Sequence, residues 1–393
     1  MANSTTCIIG GKIILEDRVL TGMVLIFDDK IIDMIDFADF SKSRFAQNST
    51  VIDAHGSYVS PGFIDLHIHG AGGNDTMDGT ISGLEAISLQ IAKTGVTGFL
   101  PTTVSMEKVK VHQALDAISH AMRMEPVGAK ILGAHMEGPF LSPVYCGAHD
   151  EANLQKADFQ FIKGYLDVLK IITLAPEEDH EFRFLKKVHT DSDIVLSMGH
   201  TNADYDTAME ALELGVSHAT HLFNAMPPLL HRNPGPVGAV LNSTVTYELI
   251  ADTIHVHPAF FQILLNAKGK DKMILVTDST QAAGMDAGSW ELGGQKVISD
   301  GNSVRLPDGK LAGSIIGMNK AVYNILQHTN LQIHEAVGLA SINPARRIGL
   351  EQSKGSIEIG KDADITLFDD KLNVEITILE GRIIYSGLRS EET

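Results

Sequence analysis

Residues 61–70 read PGFIDLHIHG, a short apolar run that ends in two histidines one residue apart, with glycines following at 72 and 73. In a β-strand, alternate side chains share a face. Alternation predicts Phe63, Asp65, His67 and His69 on one face, and Ile64, Leu66 and Ile68 on the other. Two imidazoles and a carboxylate aimed one way are either a metal clamp or the polar end of an ordinary strand. The rest of the chain has to decide.

Outward from this run, seven more apolar strand candidates follow in order: GFLPTTVS, ILGAHMEGP, IITLAPE, IVLSMGHT, HATHLFNAM, YELIADTIHV and MILVTDST. Helical patterns lie between many of them. ISGLEAISLQIAKTG, VKVHQALDAISHAM, DTAMEALELG and PAFFQILLNAKG repeat apolar residues at three- and four-residue steps. Residues 140–170 are longer and less regular. Eight strands alternating with helices predict an α/β fold, a (β/α)8 TIM-like barrel. The competing doubly wound sheet carries a G-x-G-x-x-G turn after its first strand, and HIHGAGG lacks that spacing. Both ends of the chain are different in character. CIIGGKIIL, GMVLIFDD and KIIDMIDF near the start, and GSIEIGKDADITLFDDKLNVEITILEGRIIYSG near the end, are β-rich and turn-rich. They predict a small β-sandwich domain from residues 1–58 plus 346–393, around a barrel at 59–345.

With 393 residues, the chain is long enough for this pair of domains. The formal net charge of −18 argues against nucleic acid and anionic membranes as partners. An anionic substrate would need a local basic pocket. Cys7 and Cys146 are too few for a disulfide framework, which fits a reducing cytoplasm. No run reaches membrane-spanning length, and the N-terminus does not read as a signal peptide.

In a barrel, chemistry sits at the C-terminal ends of the strands. Those ends carry, in order, His67 and His69; His135 and Glu137; His200; His218 and His221; Asp252 and His255; and Asp278. Any one has an ordinary explanation, such as a satisfied polar residue at a strand end. Recurrence at most strand ends is what points to a metal site. His135 shares a face with Glu137, so spacing does not separate ligand from neighbour. His112, His120, His180, His189 and His328 fall in helical or loop text and receive no role. Imidazoles with carboxylates, and no cysteine cluster, suit a divalent ion such as Zn, Fe, Mn, Co or Ni, one or two per subunit. Such an ion activates water near neutral pH, and a strand-end carboxylate can move its proton. The chemistry expected is metal-assisted hydrolysis.

FIDLHIHG, HMEGPF, MGHT, HLFNAMPPL, ADTIHVHP and LVTDS together resemble the amidohydrolase superfamily and, within it, the N-acetylglucosamine-6-phosphate deacetylase family. The likeness runs over nearly the whole chain. It implies deacetylation of a phosphorylated amino sugar, in amino-sugar catabolism and cell-wall sugar recycling. It implies Glu137, His200 and His221 as principal metal ligands, with His67, His69 and Asp278 at the other metal position and Glu137 as a possible bridge. It implies Asp278 as the general base and His149, of GAHD, as the group polarising the acetyl carbonyl. Asn224, Ala225 and His255 are implied to bind substrate. Arg232 is implied to reach the phosphate of a neighbouring subunit, and hence a homodimer. The chain departs from the family's usual wording at VTDSTQAAG and at Thr253, where glycine is common. A cyclic-amide hydrolase is the rival within the class, but the fourth strand, IITLAPE, has no lysine at its end to bridge two metals. A non-catalytic scaffold is the rival outside it, disfavoured by the full set of candidate ligands.

Overall fold

The computed structural model describes residues 5–387. Eight parallel strands form the barrel: β1 (Phe63–Ile68), β2 (Val96–Thr103), β3 (Ala134–Glu137), β4 (Leu169–Leu174), β5 (Val195–Met198), β6 (Val216–Ala219), β7 (Thr246–Ile250) and β8 (Met273–Val276). Each pairs with the next in chain order. All eight strand candidates are therefore present. The seam between β8 and β1 closes beyond the strands, where Asp278 N–H donates to His67 O at 2.8 Å and His69 N–H to Ser279 O at 2.9 Å. That closure places the end of β8 beside the two histidines.

The strands are apolar on both faces because both are covered. Outward residues such as Phe99, Met136, Leu196 and Leu275 pack against helices, and inward Ile64, Leu66, Ile171 and Ile274 fill the barrel floor. Helices form where the three- and four-residue steps predict them, at Ile81–Ala92, Lys108–Ala121, Tyr205–Glu213 and Ala259–Lys268. Thr80 and Asp204 cap two of these by accepting from Gly83 N–H and Thr207 N–H, satisfying donors the first turn leaves free.

The chain ends build two sheets. One contains Thr6–Ile9, Met23–Phe27, Ile31–Asp36 and Thr50–Asp53. The other joins Lys12–Ile14, Val19–Leu20 and Tyr58–Pro61 to Ile365–Phe368, Val374–Leu379 and Arg382–Ser386. Ile8, Leu25 and Phe27 of the first share a core with Ile13, Val59, Leu367 and Ile378 of the second, which makes a β-sandwich. The second sheet also touches the barrel: Phe368 lies 6.1 Å from Phe63, ring to ring, and Thr377 Oγ1 donates to Ala92 O.

A three-stranded antiparallel sheet, Gly288–Leu292, Gln295–Ser299 and Val304–Arg305, follows β8 and was not expected from the strand pattern. It overhangs the C-terminal face of the barrel, where Gln295 Nε2 donates to Ala148 O.

The strict alternation expected in PGFIDLHIHG fails once. Asp65 pairs with Phe99 but Ile68 pairs with Pro101, so β1 has one residue more than β2 between these pairs. Such a bulge turns one face over. Asp65 leaves the histidines, and its carboxylate accepts from Thr277 Oγ1 at 2.5 Å and Thr277 N–H at 3.2 Å. Burial pushes the Asp65 carboxyl up to about 7, against the opposing pull of these hydrogen bonds. His67 and His69 face the barrel mouth together without it.

Candidate metal-dependent active site

Glu137, at the end of β3, is the centre of the site. Its Oε1 lies 3.0 Å from His221 Nε2, 3.1 Å from His200 Nε2 and 3.5 Å from His67 Nε2. Its Oε2 lies 3.2 Å from both His69 Nε2 and His149 Nε2. Asp278 Oδ1 completes the group, 3.1 Å from His69 Nε2 and 3.4 Å from His67 Nε2. All seven side chains are buried or nearly so. Burial pushes the Glu137 carboxyl up, but the surrounding imidazoles, His67 and His200 foremost, outweigh it and hold it well below the carboxylate range. Burial likewise opposes ionisation of Asp278, and His67 and His69 bring it down to about 2.

The far nitrogens separate the imidazoles into two kinds. His67 Nδ1 lies 2.9 Å from Glu248 Oε2, His69 Nδ1 lies 3.2 Å from Thr102 O, and His200 Nδ1 lies 3.1 Å from Tyr145 O. These partners only accept, so Nδ1 keeps a proton in each ring, and Nε2 is the nitrogen that can give up its own to ligate an ion. His149 is reversed. Its Nδ1 accepts the Ser105 backbone N–H at 3.1 Å, so the neutral ring carries its proton on Nε2, facing Glu137. Burial pushes His149 down to about 4, keeping it neutral.

This donor set fits a divalent ion. His67 and His69 bring their Nε2 atoms within 3.3 Å of each other, and His200 and His221 within 3.1 Å. Neither pair has room for two protons between its nitrogens, and a cation there would satisfy both once each Nε2 is deprotonated. Two carboxylates supply the compensating charge. His135 is a neighbour rather than a ligand: Leu66 O and Thr173 Oγ1 occupy its nitrogens at 2.9 and 2.7 Å.

Backbone strain marks the same place. His200, His221 and Asp278 have φ of 48°, 26° and 49°, in the left-handed region that costs non-glycine residues about 1–2 kcal/mol each. Phe223, Ala225 and Thr253 join them at 80°, 51° and 70°. The strand ends must turn sharply to aim these groups into the mouth. Gly138 has a different duty. At φ 76° its place for a Cβ would lie 2.2 Å from Ser105 Oγ, the hydroxyl that also touches His149 Nδ1 at 2.9 Å.

A cavity of about 410 Å³ opens above the group. Asn224, Ala225 and His255 line it, as do Arg305 and Lys310 from the overhanging sheet and the loop after it. His255 is held by Asp252, whose Oδ2 lies 2.6 Å from its Nδ1. Arg232 does not line the cavity; it stands exposed in the loop before Gly235–Leu241. Glu248, Ser105, Arg305 and Lys310 were missed in the sequence. Only Glu248 carried a signal there, a carboxylate inside the apolar run YELI.

The amidohydrolase family model matches residues 58–384. N-acetylglucosamine-6-phosphate deacetylase of Bacillus subtilis (strain 168) is 39% identical, with 86% of this chain and 87% of that protein covered. N-acetylgalactosamine-6-phosphate deacetylase of Escherichia coli O157:H7 is 33% identical, over 85% of this chain and 89% of that one. Among solved structures, N-acetylglucosamine-6-phosphate deacetylase from Pasteurella multocida superposes with a TM-score of 0.90 at 32% identity, covering 96% of this chain and 99% of that one. A mutant deacetylase from Mycobacterium smegmatis, in complex with N-acetyl-D-glucosamine-6-phosphate, superposes at 0.88 with 26% identity, covering 98% and 100%. The chain belongs to the amidohydrolase family and, within it, to the N-acetylglucosamine-6-phosphate deacetylases.

Proposed function

We propose that this protein hydrolyses the acetamide of N-acetyl-D-glucosamine 6-phosphate, giving D-glucosamine 6-phosphate and acetate. The observation that carries this reading is the convergence of Glu137, the Nε2 atoms of His67, His69, His200 and His221, the Nε2–H of His149 and Asp278 at the floor of a sugar-sized cavity. His67, His69, Glu137, His200, His221 and Asp278 would hold the ion or ions. A divalent ion there supplies Lewis acidity and activates water. Asp278, ionised and facing the same space, takes a proton from the attacking water. As water adds to the acetyl carbon, the His149 Nε2–H donates to the developing oxyanion. The C–N bond then breaks and Asp278 passes the proton to the departing amine.

Asn224, Ala225 and His255 bind the sugar phosphate in this reading, and Arg232 reaches the phosphate in a partner subunit of a homodimer. Its exposure, and its absence from the lining of its own subunit's cavity, support that role. Among the described residues no helix is long and apolar enough to cross a membrane, and both cysteines are unpaired, which supports a cytoplasmic enzyme. The galactosamine relative makes the C4 epimer the competing substrate.

Acetate release from both phosphorylated sugars, with and without a chelator, tests the reading. The expected result is faster turnover of the glucosamine isomer, abolished by metal removal and restored by Zn²⁺ or Mn²⁺. Activity that survives complete metal removal would sink the mechanism. A higher kcat/KM on the galactosamine isomer would reassign the substrate.

A further inference from the structure

The mechanism leaves one buried carboxylate at the site unused. Glu248, on β7, has no exposed surface. Its Oε2 accepts His67 Nδ1–H at 2.9 Å and the His221 backbone N–H at 3.1 Å. A single oxygen thus grips one ring of the β1 pair and the strained backbone that carries one ring of the other set. Its Oε1 faces His218 Nε2 at 3.4 Å and His135 Nδ1 at 3.9 Å, and among the described residues it makes no hydrogen bond. His135 is anchored by Leu66 and Thr173, and His218 Nδ1 by Thr246 Oγ1 at 2.7 Å, so neither needs the carboxylate to stay in place. Ile274 is its register neighbour on β8. A hydrophobic residue of similar volume often serves a buried position as well as a charged one, so packing alone does not call for a carboxylate here.

We propose that Glu248 is the positioning residue of the ion site: it sets the Nδ1–H tautomer and ring plane of His67 and ties the His221 backbone to the same point, fixing the spacing between the two ligand sets. Outer partners of this kind typically change metal affinity by about 10–100-fold. The inference rests on the ion-binding part of the proposed function and not on the substrate.

The test measures Zn²⁺ affinity by chelator competition, with Zn²⁺ content and unfolding of the metal-free protein measured alongside. Glu248→Gln keeps the volume and can still accept from His67, but removes the charge; Zn²⁺ affinity should fall about 10–100-fold while the metal-free protein stays folded. In a His67→Asn background the same substitution should cost less, because only the tie to the His221 backbone remains. Wild-type Zn²⁺ affinity in Glu248→Gln, or an equal loss in both backgrounds, would overturn the proposal. Should Glu248→Gln fail to fold, Glu248→Asp takes its place. It keeps the charge and withdraws the oxygen from both donors, so unchanged Zn²⁺ affinity would again overturn it. A wild-type protein that binds Zn²⁺ but releases no acetate defeats the deacetylase reading and leaves this one standing.

Discussion

Replacing His149 by alanine separates two roles that its position alone would allow. The ring lies 3.2 Å from Glu137 and 4.6 Å, centroid to centroid, from His200, close enough to count among possible ligands. Its hydrogen bonds argue otherwise, because Nδ1 accepts from Ser105 N–H and Nε2 therefore carries a proton. A protonated nitrogen donates and does not ligate. Losing one donor to a developing oxyanion costs about 10²–10³ in kcat, roughly 2.7–4 kcal/mol. That interaction forms in the transition state, so KM should move little. His149→Ala also leaves the Ser105 N–H without its partner inside the protein, a stability cost of about 1–3 kcal/mol. Steady-state acetate release gives kcat and KM, chelator competition gives metal affinity, and thermal unfolding gives stability. The expected pattern is a large loss in kcat, near-normal metal affinity and a lower Tm. Loss of bound metal, or kcat close to wild type, would refute the tautomer argument.

Asp278→Asn should lower kcat by about 10²–10⁴, the usual worth of a positioned proton carrier, with bound metal measured to show that the site persists. Arg232→Ala should raise KM for the phosphorylated sugar more than for the unphosphorylated one, and equal effects on both would reject a phosphate role. Thr253→Gly should stabilise the protein by about 0.5–1 kcal/mol. A left-handed threonine costs about 1–2 kcal/mol, glycine returns about 0.5–1 of this as lost chain entropy, and the exposed side chain forfeits little contact. Chemical denaturation checks the sign, and a destabilised variant would show that Thr253 makes a contact worth more than its strain.

Much of the architecture was legible because its signals are local. Strand and helix periods in the middle of the chain marked all eight barrel strands, and β-branched, turn-rich text marked both ends. The three-stranded sheet at Gly288–Arg305 was not legible. Its strands are short and half exposed, and nothing in their pattern says that they fold back over the barrel mouth. Strand ends were the right place to look for chemistry, yet the face assigned to Asp65 was wrong. A bulge is a property of two paired strands, and the register that creates it belongs as much to Phe99 and Pro101 as to PGFIDLHIHG.

By itself, then, the sequence determined the barrel, the sandwich at its ends and the inventory of metal-capable groups, since these follow from periodicity and residue chemistry. Tertiary structure decided which members of that inventory meet. It withdrew Asp65 and His135 from the site, joined five imidazoles to Glu137, and set His149 apart as a proton donor by giving its inner nitrogen a backbone N–H. It also placed Glu248 beneath His67 and His221. An imidazole's role depends on what its second nitrogen touches. Those partners lie on other strands and loops, 33 residues away for His69, 44 for His149, 55 for His200 and 181 for His67, so only the closed barrel brings them together.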